Sequence, residues 1–594
     1  MKKEKQKSPK EVRKTLFRLF SYLAKEKRIL FFALFLIVVS TVCNVVGSYL
    51  LRPIINTAII PKDAQRLIIM LFILGGIYFL GSFSVWWQYR ILNKVGQRTV
   101  AKLRDHLFNK MEHLPLRFFD THKHGELMSR FTNDVDRVSE VLTETLTDMF
   151  TNILSLIGIL IMMLYISPIL TLTTVIILPV MLLIARGVVK KSKKYFKEQQ
   201  AVLGNANGYI EEIISGQKIV KVFSHEKIAE KDFDKYNDEL KSKAEKAQLF
   251  SGMMMPLMQN MNTLNFVFVS IVGGLLAIFR GFDLGGLAAF LQYSRQFGRP
   301  INELSAQYNT LQAAIAGAER IFQLMDEIPE TAFDIKDPIR LTSPVSGDIF
   351  FNHVHFAYDP EVPVLKDISL HAIQGKKIAL VGSTGAGKTT IFNILPRFYD
   401  IQSGEILIDQ IPQNQFTRDD LRRSMALVLQ DTHLFGGTVM ENIRYGRLDA
   451  TDEEVIEAAK LAAAHSFINK LPHGYQTVLT DDGANLSQGQ RQLLNIARAA
   501  VANPPILLLD EATSDVDTRT EKLIQRGMDK LMEGRTSFVI AHRLSTVLDA
   551  DEILVLEHGQ IIERGTHKEL LSQRGRYYHL YTGKGQEKTG QMYV

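Results

Sequence analysis

Lys377-Ile-Ala-Leu-Val381-Gly382-Ser383-Thr384-Gly385-Ala386-Gly387-Lys388-Thr389-Thr390-Ile-Phe-Asn-Ile-Leu395 reads as an apolar strand, a glycine-rich loop and the first turns of a helix. G-x-x-x-x-G-K-T in that context is a phosphate-binding arrangement. The glycines let backbone N–H groups wrap phosphate oxygens, and the N-terminus of the following helix favours anions. Lys388 is placed to reach the β- and γ-phosphates of a nucleoside triphosphate, and the Thr389 hydroxyl to hold Mg²⁺. Chance matches to the bare pattern occur; the strand before it and the helix after it make this one specific.

Further on, Pro505-Ile-Leu-Leu-Leu-Asp510-Glu511 is an apolar strand ending in two acids. Asp510 can hold Mg²⁺ through water, and Glu511 can polarise the water that attacks a γ-phosphate. Two acids at a strand end are elsewhere often plain solvated charge, but in the same domain as a phosphate loop the catalytic reading is favoured. Residues 347–585 alternate β-type runs (Lys377–Val381, Ile406–Ile408, Ile506–Leu509, Ser537–Ile540, Ile553–Leu556) with helical stretches, the pattern of a soluble α/β domain. Residues 326–346, rich in Pro, Asp and Glu, read as a linker, and 586–594 as a C-terminal tail.

The chain has 594 residues, 46% of them hydrophobic and 22% charged, which excludes a disordered protein. One cysteine, Cys43, excludes an internal disulfide framework. The average hides two different halves. Residues 29–51, ILFFALFLIVVSTVCNVVGSYLL, carry no charge, nor do 67–89, and 149–185 is long enough for two crossings broken at Ser167-Pro168. Residues 247–279 give a fifth span and 281 to about 302 a weaker sixth. A hydrocarbon core of about 30 Å needs roughly 20 helical residues, so 29–325 reads as a six-helix transmembrane domain. The first span is too long for a signal peptide and lacks a small-residue cleavage site.

Basic residues crowd the stretch from Lys2 to Arg28 and again Arg186–Lys197, while the loops at Ser167-Pro168 and near Arg280 are almost bare. By the positive-inside rule the N-terminus (1–28, with an interfacial helix over Lys14–Lys25) and segments 90–148 and 186–246 face the cytoplasm. The loop Arg52–Arg66 is the discordant count. The net charge of +7 is thereby assigned to a membrane surface rather than to nucleic acid. Helical periodicity carries the membrane helices into the cytoplasm, with turns expected near Leu114–Gly125 and Gly208–Phe223. Arg295, Arg299 and Glu303 recur every four residues on the sixth span. They read either as the wall of a substrate cavity or as an Arg299–Glu303 helix pair. Gln259, Asn260, Asn262 and Asn265 on the fifth span pose the same choice between substrate contact and helix glue.

Asn485-Leu486-Ser487-Gln488-Gly489-Gln490-Arg491-Gln492 narrows the class. It resembles the Leu-Ser-Gly-Gly-Gln signature of the ATP-binding cassette family. The resemblance extends to Tyr358 in HFAYDP (the aromatic that stacks on adenine), Gln430 in VLQD (the Q-loop), Ser514-Asp515-Val516-Asp517 (the D-loop) and His542 in IAHRLST (the switch histidine). Together these motifs and the six spans cover about residues 15–585 in the family's order. The resemblance implies a half-transporter of the exporter type: a membrane all-α domain fused to a cytoplasmic α/β P-loop nucleotide-binding domain, which hydrolyses ATP with Mg²⁺.

It further implies Lys388, Glu511 and His542 in catalysis, and Thr389, Gln430 and Asp510 at the metal. Tyr358, Gly382–Thr390 and Gln430 would touch the nucleotide held by this chain, and Ser487, Gly489 and Gln490 the one held by a partner. A second half-transporter subunit, the lipid bilayer and a small amphipathic substrate are the implied partners, and nucleic acid is not. The turns would be coupling helices that transmit cassette closure to the membrane helices.

Three departures bear on the partner. Gln488 replaces a signature glycine, Asp515-Val516 the common Ala-Leu, and Thr480-Asp-Asp482 the Gly-Glu-Arg of many homodimeric exporters. With Glu511 retained, this resembles the catalytically competent subunit of heterodimeric bacterial multidrug exporters. A homodimeric lipid flippase is the alternative within the family, and an ATP-gated channel or regulatory membrane ATPase the alternative outside it.

Overall fold

The computed structural model describes residues 9–23, 26–335, 337–339, 345–510, 517–541 and 547–582. Glu511, the D-loop residues Ser514–Val516, His542 and the tail 586–594 lie outside the described residues. The chain divides into two compact units, one of residues 1–111 and 125–326, the other of residues 112–124 and 327–594.

The first unit is helical, and the six expected spans lie on helical stretches, the fifth of them broken at Met253. Four helical stretches are long and apolar enough to cross a membrane by composition: Lys27–Ile59, Ala64–Glu112, His124–Ile166 and Glu226–Arg280. The described apolar part of the fourth span, Pro168–Ile177, is shorter. The sixth, Leu284–Asp326, is diluted by its charged residues. Large apolar side chains such as Phe72, Phe79 and Ile278 are more than 70% exposed. That would be costly in water and is expected against lipid. Inside, Val45, Met163, Leu170, Val269, Phe290 and Tyr293 form a shared core.

Local chemistry sets the breaks. Ser167 is extended (φ −161°, ψ 109°), its hydroxyl accepts from the Leu170 N–H at 3.4 Å, and Pro168 opens the next helix at a position where its missing N–H is not needed. Helix Glu226–Gly252 stops at Met253 before Met254–Arg280 begins. Pro256 explains the stop, because it cannot donate to the carbonyl four residues back and its ring crowds that carbonyl. The first expected turn holds the short helix Leu116–Thr121. The second begins later than expected: Pro168–Ser215 runs straight through Gly208, and the chain turns at Gly216 into Gln217–Val222. A glycine costs a helix only about 1 kcal/mol, and contacts with the antiparallel helix offset it. Tyr195 stacks on Phe250 at 5.2 Å and the Tyr209 hydroxyl donates to the Ala229 carbonyl at 3.0 Å.

The second unit is built on two sheets. The strands are β1 (Ile349–Phe356), β2 (Leu365–Ala372), β3 (Lys377–Gly382), β4 (Ser403–Ile408), β5 (Ile411–Pro412), β6 (Met425–Val428), β7 (Gly437–Thr438), β8 (Val478–Leu479), β9 (Ile506–Asp510), β10 (Thr536–Ile540), β11 (Glu552–Glu557) and β12 (Gln560–Gly565). A four-stranded antiparallel sheet runs β2-β1-β4-β5, and a six-stranded sheet runs β12-β11-β3-β10-β9-β6. In the latter β11, β3, β10, β9 and β6 are mutually parallel, and every residue of β9 and β10 is buried. That is why these strands read as continuous apolar runs rather than alternating ones. Parallel strands bring their carboxyl ends to one edge of the sheet, which is where ligands bind in such folds.

Candidate functional site

Four segments meet at that edge. The glycine-rich loop leaves β3. Leu380 of β3 pairs with Ile540 of β10, and Ile540 in turn pairs with Asp510 of β9. Val428 of β6 pairs with Leu509, so Gln430, two residues on, belongs to the same edge. Glu511 and His542 follow β9 and β10 in the chain but lie outside the described residues.

The loop geometry depends on its glycines at two points. A Cβ on Gly382 would lie 2.2 Å from the Leu556 carbonyl oxygen, so β11 excludes any side chain there. Gly387 has φ 104°, and a Cβ on it would lie 2.6 Å from Leu365 Cδ2. Lys388, 8% exposed, donates from Nζ to the Gly382 and Ser383 carbonyls at 2.7 and 2.9 Å. Burial pulls its pKa below the usual lysine value, and the Asp510 carboxylate partly restores it. Ser383, Thr384 and Gly385 are exposed along the loop, as is Thr389, while Ala386 and Thr390 face inward. A lysine held over an open loop whose backbone can turn toward a ligand, with a buried carboxylate two strands away, suits a triphosphate and a divalent cation.

Tyr358 stands beside the same helix. Its hydroxyl donates to Thr390 Oγ1 at 3.4 Å and accepts from Asn393 Nδ2 at 2.8 Å. Phe356 and Tyr399 hold its ring edge-on, with centroids 4.8 and 4.9 Å away. A depression of about 590 Å³ opens against it, lined also by Arg117, Asp120, Asn393 and Tyr399. Asn393 falls three residues after Thr390 on the loop helix, a spacing that could have drawn attention to it. Nothing in the sequence points to Tyr399 or Asp120, whose hydroxyl and carboxylate are hydrogen-bonded. Burial and that carboxylate raise the Tyr399 pKa.

The signature segment is arranged differently. Ser487 caps helix Gln488–Ala502 by accepting from the Gln490 N–H at 3.3 Å, and the Gln490 side chain accepts from the Ser487 N–H at 3.0 Å. This reciprocal box satisfies two otherwise orphan donors. Gln488 lines a depression of about 310 Å³ with Gln430, His433, Asp482 and Arg491, and none of the glycine-rich loop takes part in it. Asp482, in left-handed backbone (φ 60°), accepts from the Leu434 N–H at 2.7 Å and sits 3.3 Å from His433 Nδ1. Those contacts hold its pKa below the usual carboxylate value, the Leu434 bond most of all.

Comparisons with known proteins identify the family. Residues 30–301 match the family described as ABC transporter transmembrane region, and residues 365–514 that described as ABC transporter. An uncharacterized ABC transporter ATP-binding protein, YfiC of Bacillus subtilis (strain 168), is 45% identical over 575 residues, 96% of this chain and 94% of that one. The chain belongs to the ABC transporter family. A fatty acid ABC transporter ATP-binding/permease protein of Mycobacterium bovis is 44% identical over 85% of this chain and 79% of its own length. The solved structure of a bacterial Atm1-family ABC exporter with ATP bound superposes with a TM-score of 0.74 at 27% identity, covering 95% of this chain and 99% of that one. The protein is thus an ABC exporter half-transporter whose ATP-binding domain is an ATPase coupled to transport.

The membrane unit of this ABC exporter contains a cavity of about 640 Å³ lined by Tyr89, Asp148, Asn152, Gln296, Arg299 and Glu303 among others. On the sixth span Arg299 Nε bonds Glu303 at 2.7 Å, the expected helix pair, and both residues line this cavity. Arg295 instead lies 4.1 Å over the Phe266 ring. Asn265 donates to Ser294 at 3.1 Å in a buried contact, the helix-glue role. Sequence reading missed Tyr89, Asp148 and Asn152 here.

Proposed function

We propose that this chain exports amphipathic compounds, multidrug-like or lipid-like, across the cytoplasmic membrane by alternating access as one half of a dimer. The N-terminus and the ATP-binding domain (347–585) would be cytoplasmic and 29–325 the membrane domain. What carries the reading is the convergence of the Gly382–Thr390 loop, Asp510 and Gln430 on one sheet edge of a chain whose other unit encloses a polar cavity.

In this reading Lys388 releases the loop carbonyls and binds the β- and γ-phosphates, while loop N–H groups wrap them. Tyr358 stacks on the base, and Glu511 takes a proton from the attacking water. His542 orients the γ-phosphate. Thr389, Gln430 and Asp510 would hold Mg²⁺, which when bound neutralises charge on the β- and γ-oxygens. Ser487, Gly489 and Gln490 would contact the nucleotide held by the partner.

Exposed apolar residues around Gln217–Val222 (Ile214, Ile219, Val222 and Phe223) support a docking role for that turn in a dimer. The heterodimer reading rests on Gln488, Asp515-Val516 and Thr480-Asp-Asp482. Asp482 also has a local task, since an arginine there could not accept the Leu434 N–H. The fatty acid relative favours a second reading, export of acyl chains by a homodimer.

Two measurements test the proposal. Glu511→Gln should keep ATP binding while hydrolysis falls by orders of magnitude; unchanged turnover removes Glu511 from its role. Purified alone, the chain should show little substrate-stimulated ATPase, and co-purified with its chromosomal neighbour it should show full activity. Full stimulated activity from the lone chain would overturn the heterodimer.

A further inference from the structure

The membrane cavity has two chemically different ends. Ile159 lies seven residues before the helix end at Ile166, about 10 Å along the axis, whereas Asp148 lies eighteen residues before it, about 27 Å at ~1.5 Å per residue. The turn Ser167-Pro168 is the far end of this helix pair. The apolar wall (Val45, Ile159) is therefore the deeper part, and the charged rim lies at the opposite, cytoplasmic interface of the proposed orientation.

The charges at that rim do not balance. Arg299 is taken up by Glu303 at 2.7 Å. Among the described residues Asp148 accepts a single hydrogen bond, from the Tyr89 hydroxyl at 3.2 Å, and Glu144 stands four residues before it on the same helical stretch. Among the described residues that carboxylate thus has no counter-cation, and the phenol that meets it does so through its hydroxyl. Asn152, 8% exposed, bonds Gln307 through Nδ2 at 3.4 Å, and its carbonyl oxygen, without a hydrogen-bond partner among the described residues, adds an acceptor at the cavity. Surplus negative charge and an amide oxygen both favour a cation. An anion would meet Asp148 and Glu303 with only an arginine already engaged.

We infer that this cavity takes a positively charged amphiphile, whose cationic head is held at Asp148, Tyr89 and Asn152 and whose apolar body lies along Val45 and Ile159. The inference rests on the exporter reading and sharpens it. It separates this chain from its fatty acid relative, since a carboxylate cargo would be repelled by the same rim.

The test is equilibrium binding of tetraphenylphosphonium to the full chain, with its dimer partner, in lipid nanodiscs without nucleotide. Wild type should bind it, and laurate should fail to compete. Asp148→Asn should weaken binding at least about tenfold, which is about 1.4 kcal/mol, and Asp148→Glu should restore most of it. ATP binding by each variant reports that it is folded. Equal competition by laurate, or an Asp148→Asn protein that binds like wild type, overturns the inference. Vesicle transport keeps the two levels apart. ATP-driven export of laurate without tetraphenylphosphonium binding defeats the cation site alone, whereas ATP-driven movement of neither probe, with binding intact, defeats the exporter reading alone.

Discussion

Arg52 grips Asp283 with two nitrogens, Nη2 at 2.6 Å and Nε at 3.2 Å, and Asn56 donates to the same carboxylate at 2.6 Å. The contact ties the stretch just after Lys27–Tyr49 to the turn that precedes Leu284–Asp326. Of the three basic residues in the loop that is discordant with the positive-inside rule, Arg52 pairs with Asp283 at 2.6 Å and Arg66 with Asp63 at 3.2 Å.

Replacing Asp283 should therefore loosen that end of the helical unit. Asp283→Ala leaves a partly buried guanidinium and an amide without their acceptor, a loss of about 1–3 kcal/mol. A thermal melt of the detergent-solubilised protein should shift down by several degrees, and Asp283→Asn should fall between the two. An unchanged midpoint would show the pair to be ornamental.

The bond between Tyr399 and Asp120 predicts a different kind of defect. Asp120 belongs to the turn between two membrane helices, and Tyr399 supports the aromatic Tyr358. Tyr399→Phe should leave ATP affinity within about twofold while lowering substrate-stimulated ATPase several-fold, and Asp120→Ala should reproduce the effect. Equal loss of basal and stimulated activity would argue against a transmitting role.

Arg418 is 5% exposed and bonds Asp334 at 2.8 Å, Asp400 at 2.9 Å and the Arg397 carbonyl at 2.6 Å. Removing one member of a buried ionic cluster strands the others, typically at about 3–5 kcal/mol. Arg418→Ala should markedly lower the unfolding midpoint of the ATP-binding domain followed by nucleotide-protected proteolysis, and Arg418→Lys should recover part of the loss.

Alkaline pH should unfold the same domain for an identifiable reason. Burial pushes the phenols of Tyr475 and Tyr577 up to about 12. In the unfolded chain they ionise near pH ~10. Raised folded-state values mean that the stabilisation is complete below ~10 and is lost as pH rises toward about 12. Urea midpoints should fall across that window, and Tyr577→Phe together with Tyr475→Phe should flatten the decline.

The motif segments were the legible part, because their spacing encodes backbone shape. Gly382, Gly387 and Lys388 announce a loop, and the all-apolar runs of β9 and β10 announce a parallel sheet whose edge must carry the chemistry. The membrane cavity was opaque because Tyr89, Asp148 and Glu303 come from three separate helices, and no periodicity within one helix relates them. Gly208 misled for a related reason: its local preference for a break was overridden by packing against the neighbouring antiparallel helix. Asp482 looked only like a departure from a family pattern until its bond to the Leu434 N–H gave it a local task.

Residues 112–124 are grouped with the ATP-binding unit although they lie in the chain between two membrane helices. The His113 carbonyl accepts from the Glu330 N–H at 2.8 Å, and Asp120 meets Tyr399. A soluble fragment cut at residue 327 would thus be missing a strip of its own surface, and its catalytic constants would describe an incomplete object. Supplying the peptide 112–124 in trans is the simplest way to make such a fragment whole.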